Sequence, residues 1–319
     1  MRVHHRWLAV ILGIAAMTAG LSTTTSRAAL LPPFFVSAVV ALGGDQVIQE
    51  PGAPARSRWV TEGTGFFYGY LVHNDDDRTK RQYAVFLVTA GHVLKEHVAS
   101  GQQSIRVRLD ALEATSGAQE IEIPAKDWFF PSDPHIDLAA TPVPINFLRE
   151  HGLQSSFFAS DDAAITKPQL KELGVSAGDG VFILGFPMNL AGEQRNYVIV
   201  RQGAVARVTE LLDGASSTFL VDSFVFPGNS GGPVVLRPEI VAIEGTKANG
   251  RAFLMGVVTA YQPYTEVAVS MQTKRPRVAF EENSGLAVVL PIDHVNDLIR
   301  PRAEAIWKAR ENQPTEPAK

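Results

Sequence analysis

The stretch FPGNSGGPVV, residues 226–235, sets one serine among three glycines and closes on a proline and two valines. A serine hydroxyl is a weak nucleophile at neutral pH. It becomes reactive beside a base that a third group orients. The carbonyl it attacks also needs donors for the oxyanion that forms. Glycines leave backbone N–H groups uncovered by side chains. Ser230 is therefore a candidate nucleophile, and the N–H groups of Gly228 and Ser230 are a candidate oxyanion hole. A plain glycine-rich turn and a phosphate-cradling nest are the rival readings. The nucleophile reading requires a histidine and a carboxylate elsewhere in the chain.

Six histidines follow the first 28 residues: His73, His92, His97, His135, His151 and His294. His92 stands out in VFLVTAGHVL (85–94), where it follows an apolar strand-like run and two small residues, Ala90 and Gly91. The stretch GTGFF (63–67) reads as the start of an earlier strand that pairs beside it. DPHIDLAATPV (133–143) sets Asp137 just before an apolar strand, where a buried carboxylate can hold an imidazole. Asp133, next to Pro134, reads as a turn residue and His135 as a loop residue. His294 reads as a surface residue of a C-terminal helix.

Short strand-like runs dominate the chain. SIRVRLD (104–110) alternates Ile105, Val107 and Leu109 with polar residues, the pattern of a half-buried strand. EIEIP (120–124) does the same. Apolar runs bounded by Gly, Pro, Asp or Asn recur at 179–186, 197–208, 217–222, 253–261 and 284–291. This pattern predicts an all-β protein. The best helical pattern is PIDHVNDLIRPRAEAIWKAR, beginning at Pro291 and expected to break at Pro301.

Taken in order, GTGFF, VFLVTAGHVL, DPHIDLAATPV and VDSFVFPGNSGGPVV make the chain resemble the chymotrypsin-fold serine proteases. The likeness is greatest to bacterial trypsin-like peptidase domains of the HtrA/Deg type. The order His92, Asp137, Ser230 suits that clan and neither subtilisin-like enzymes nor α/β-hydrolases. The resemblance implies an all-β fold of two six-stranded antiparallel β-barrels with a C-terminal helix. It also implies a serine endopeptidase that acts on protein or peptide substrates and requires no metal or organic cofactor. A protease-like binding module and a narrow esterase on the same fold stay open beside it. By the same resemblance, Phe224 and Val225 form the base of the primary specificity pocket, and Val258, Thr259 and Tyr261 its wall. Asn229 stands where digestive members carry the aspartate of an activation switch. No PDZ module is expected after residue 311.

The organisation that follows is a leader over 1–28, an N-terminal barrel over 35–145 and a crossing over 146–177. A C-terminal barrel and helix over 178–300 and a helical or disordered tail over 301–319 complete it. The loops 237–252 and 262–283 are expected to shape access to the site. The leader joins a basic start, an apolar run and small residues at Ser26 and Ala28, the pattern of a signal peptide cut after Ala28 or Ala29. A periplasmic or secreted location follows, with membrane contact only if the segment stays uncleaved. Losing its three arginines takes the net charge from −4 to −7. No basic stripe points to nucleic acid. Cysteine is absent, which excludes thiol nucleophiles and cysteine metal sites. NDDDR (74–78) reads as a solvated loop.

Overall fold

The computed structural model describes residues 30–49, 54–113, 115–239 and 247–312. The expected leader, residues 240–246 of the loop 237–252, and 313–319 of the tail lie outside the described residues. The first half opens with helix α1 (Pro33–Ser37) and the antiparallel strands β1 (Val39–Ile48), β2 (Arg56–His73) and β3 (Gln82–Thr89). Helix α2 (Gly91–Ala99) follows, then β4 (Ser104–Asp110), β5 (Ala118–Pro124) and β6 (Ala139–Pro142). Ile105, Val107 and Leu109 of β4 are all buried, so the alternation in the sequence faces the core as expected. The strand order is β5-β4-β1-β2-β3-β6. These six strands curl into a half-barrel whose edges, β5 and β6, do not pair with each other among the described residues. GTGFF falls in the middle of β2 and not at its start. Its Phe66 and Phe67 lie opposite Val88 and Leu87 of β3.

The crossing carries helix α3 (Ile145–Glu150), strand β7 (Phe158–Ala159) and helix α4 (Lys167–Leu173). Strand β7 adds to β2 in parallel. A capping box of Thr166 and Gln169 starts α4. The second half contains β8 (Gly180–Gly185), β9 (Ile199–Arg207), helix α5 (Thr209–Leu212), β10 (Phe219–Asp222) and β11 (Pro233–Leu236). The long strands β12 (Phe253–Val269) and β13 (Pro276–Pro291) follow, then helix α6 (Ile292–Glu311). The six strands of this half close as a barrel in the order β10-β13-β12-β11-β8-β9. Residues 262–283, expected as a loop, instead extend β12 and β13 into a two-stranded ribbon paired from Pro263↔Asn283 to Val269↔Pro276.

One apolar cluster spans both halves, from Phe66, Tyr68 and Phe86 through Phe182, Leu184 and Phe186 to Ile292, Val295 and Ile299. It locks the two sheets into a fixed relation and so fixes the cleft between them. Helix α6 crosses back onto the first half, and the Asn296 side-chain carbonyl accepts from the Tyr68 hydroxyl at 2.8 Å. The expected break at Pro301 does not occur. The helix runs unbroken to Glu311, because its buried stripe of Ile292, Val295 and Ile299 continues past the proline to Ala303. Packing of that stripe outweighs the missing N–H and the crowding at the exposed Pro301. Replacing Pro301 by alanine is expected to raise the unfolding free energy by about 1–3 kcal/mol, read by denaturant titration.

Candidate active site

Ser230 ends a tight turn. The backbone N–H of Asn229 donates to the Phe226 carbonyl at 2.9 Å, and the Phe226 N–H donates to Asn229 Oδ1 at 3.0 Å. Asn229 is buried and closes the turn on itself, a supporting role that its place beside the serine had not disclosed. Gly228 has φ of 98°, and a Cβ there would sit 2.3 Å from the Phe186 carbonyl oxygen, so only glycine fits. The N–H groups of Gly228 and Ser230 donate to nothing among the described residues. Two amides are thereby left uncommitted beside one hydroxyl, as an oxyanion hole requires.

His92 sits in the first turn of α2, directly after β3. Asp137 lies in the loop before β6 and reaches it twice. Its Oδ1 accepts the His92 backbone N–H at 2.8 Å, and its Oδ2 lies 2.6 Å from His92 Nδ1. A carboxylate facing Nδ1 keeps the proton there and leaves the lone pair on Nε2. Close approach depends on Gly91, where a Cβ would stand 2.9 Å from Asp137 Oδ1. The Asp137 hydrogen bond holds the imidazole above its ordinary pKa, while burial pulls the other way and is outweighed. His135 lies in the loop ahead of Asp137, and Asp133 caps it by accepting the His135 N–H at 2.9 Å. His294 is half-buried on α6, its Nε2 at 3.2 Å from the Ser217 carbonyl oxygen.

Thr64, inside GTGFF, is the residue whose role the sequence did not reveal. Its N–H donates to the Ser230 carbonyl at 2.8 Å, and its hydroxyl donates to the Gly228 carbonyl at 2.6 Å. The same hydroxyl accepts the Phe186 N–H at 3.1 Å. Its carbonyl accepts the hydroxyl of Thr89, three residues before His92, at 2.7 Å. Thr64 is fully buried, so each of these bonds would be costly to lose.

A cavity of about 290 Å³ brings these parts together. His92, Gly228 and Ser230 line it. Glu62 and Glu96 stand on the His92 side, and Val225, Val258, Thr259, Ala260 and Tyr261 form the opposite wall. No hydrogen bond joins Ser230 Oγ to His92, although both line the same space. Phe224, expected at the base with Val225, is not part of this cavity. It is 48% exposed, stacks on Phe226 and packs over Gly285. Both residues lie in the irregular segment between β10 and the serine turn, which leaves Phe224 exposed and Val225 buried. Asn283 on β13 fixes the base by donating to the Val225 carbonyl at 2.6 Å. Strand β12 is tied to the serine turn by Gly231 N–H to Val258 O at 2.8 Å and Val258 N–H to Gly232 O at 2.9 Å. Glu62 also pairs with His97, Oε2 to Nδ1 at 2.5 Å, a second carboxylate–imidazole contact against the cavity.

A closed barrel and a half-barrel of antiparallel strands, followed by a C-terminal helix and divided by a cleft with this lining, make the chymotrypsin fold. The chain belongs to the trypsin-like peptidase domain family, which it matches over residues 63–243, more than half its length. It is a protease, a hydrolase that acts on protein or peptide substrates. The solved structure titled "Crystal structure of Deg5" aligns with a TM-score of 0.42 at 18% identity, covering 82% of this chain and 87% of that one. No curated protein matches the sequence.

Two measurements check this geometry. Nuclear magnetic resonance of the imidazole should show His92 titrating above the ordinary value of about 6.5, and Asp137→Asn should bring it down. Because the folded pKa is raised, the pair's contribution to stability is complete below about pH 6.5 and is lost as pH rises through the folded value. Thr64→Val should lower the unfolding free energy by about 1–3 kcal/mol, while Thr64→Ser retains most of it, both read by denaturant unfolding.

Proposed function

We propose that the protein is an exported serine endopeptidase working through His92, Asp137 and Ser230. The observation that carries this reading is one cavity lined by Ser230, two uncommitted amides and an imidazole held by a carboxylate. Ser230 Oγ attacks the scissile carbonyl while His92 Nε2 takes its proton. The N–H groups of Gly228 and Ser230 hold the oxyanion. His92 then returns the proton to the leaving amine, and water releases the acyl group from Ser230 by the same steps. Asp137 keeps His92 in the right tautomer and stabilises its cation. Oxygen–imidazole contacts of this kind often tighten only when substrate binds, so the open Ser230–His92 pair fits the reading. No step calls on a metal or organic cofactor. The basic–apolar–small pattern of 1–28 supports export to the periplasm or beyond.

The wall of Val225, Val258, Thr259, Ala260 and Tyr261 carries no charge to pair with a buried ion. It supports cleavage after a small or medium apolar residue and disfavours Arg, Lys and Glu at that place. A peptide-library profile tests this, and dominant cleavage after a charged residue would refute it. Ser230→Ala should lower turnover roughly 10⁶-fold with the unfolding midpoint unchanged. An alanine variant that cleaves near the parental rate would remove Ser230 from the mechanism. Sequencing the exported product should find an N-terminus at Ala29 or Leu30.

A further inference from the structure

The β12–β13 ribbon leaves the barrel beyond Tyr261 and stands in solvent on both faces. A free two-stranded ribbon is marginal in water, so its length and composition call for a covering partner. Register sets Tyr264 opposite Glu282, Glu266 opposite Phe280 and Ala268 opposite Val278, and these six side chains share one face. On that face Tyr264, Val278 and Phe280 are 55%, 51% and 54% exposed. Charge along the ribbon is segregated. On the apolar face Glu282 lies near the root and Glu266 midway, Lys274 and Arg275 sit in the turn at the tip, and Glu281 and Arg277 point to the opposite face. Among the described residues none of the six forms an ion pair. On β13 Arg277 and Glu281 lie four residues apart, about 13 Å, and Arg277 lies three residues, about 10 Å, from the level of Glu266. These separations match or exceed the screening length of roughly 8–10 Å at ordinary salt, so root and tip charges interact only weakly within one ribbon.

We propose that the ribbon pairs with the ribbon of a second copy of this chain. Two ribbons laid antiparallel across a twofold axis bring each basic tip against the other's acidic root. The apolar stripe of Tyr264, Val278 and Phe280 then covers its own counterpart. A surface complementary to itself under a twofold rotation is the requirement for a closed dimer. Because β12 also walls the cavity, such a dimer would set its two clefts at fixed separation. The pairing does not depend on the chemistry assigned to Ser230.

Sedimentation velocity of the mature chain at micromolar concentration tests it. The wild type should sediment as a dimer that weakens with salt. Phe280→Asp and Val278→Asp, both at exposed positions, should each raise the dimer dissociation constant about 100-fold or more, with circular dichroism and unfolding midpoint unchanged. A chain carrying Glu266→Lys and Glu282→Lys, and one carrying Lys274→Glu and Arg275→Glu, should each be monomeric alone. Mixed in equal amounts they should restore the dimer. A monomeric wild type, or a dimer indifferent to these variants, overturns the proposal. A monomer whose ribbon variants lose protein cleavage yet keep turnover of a small ester overturns it in favour of substrate docking.

Discussion

The four hydrogen bonds of Thr64 hold the site together. One residue from the half-barrel binds the Ser230 carbonyl, the Gly228 carbonyl, the Phe186 N–H and the Thr89 hydroxyl. The first two set the backbone of the serine turn, and the third sets the end of β8. The fourth sets the end of β3, from which His92 departs. The histidine and the serine come from opposite halves of the molecule. Their relation is therefore held by this buried contact and by the apolar cluster that spans the halves. Thr64 satisfies Gly228 O and Ser230 O, and the N–H groups of the same two residues donate to nothing among the described residues. A preorganised donor pair is worth most where it need not rearrange when charge develops.

The same economy appears at Asp137. Its two oxygens are used on one residue, the backbone and the imidazole of His92. Position and tautomer are fixed together, and Gly91 supplies the room. Glu62 and His97 form a second such pair, and His97 Nε2 lies 2.7 Å from the Ser104 carbonyl oxygen. That pair pins the far end of α2 to β2 and β4, so the helix bearing His92 is anchored at both ends.

Much of this was readable in the sequence. Strand alternation in 104–110 and the bounded apolar runs of the second half carried the fold, because period and punctuation are local signals. His92, Asp137 and Ser230 were readable because each sits in a distinctive local setting. Thr64 was not, since a threonine between glycines gives no sign that four distant groups converge on it. Phe224 reads as a pocket residue from its distance to Ser230, but the irregular segment before the serine turn leaves it exposed. The intrinsic cost of Pro301 reads as a helix break, whereas packing of α6 on the first half decides the outcome. Residues 262–283 read as a loop because they mix proline, charge and apolar residues without a buried face to enforce alternation.

The central claim is that Ser230 is the nucleophile of a site preassembled around Thr64. Mass spectrometry of the purified protein treated with a fluorophosphonate tests it most directly. The account predicts one adduct per chain, mapped to Ser230 and formed more slowly in Thr64→Val. An adduct on another residue, or none on a folded chain that cleaves peptides, would contradict it.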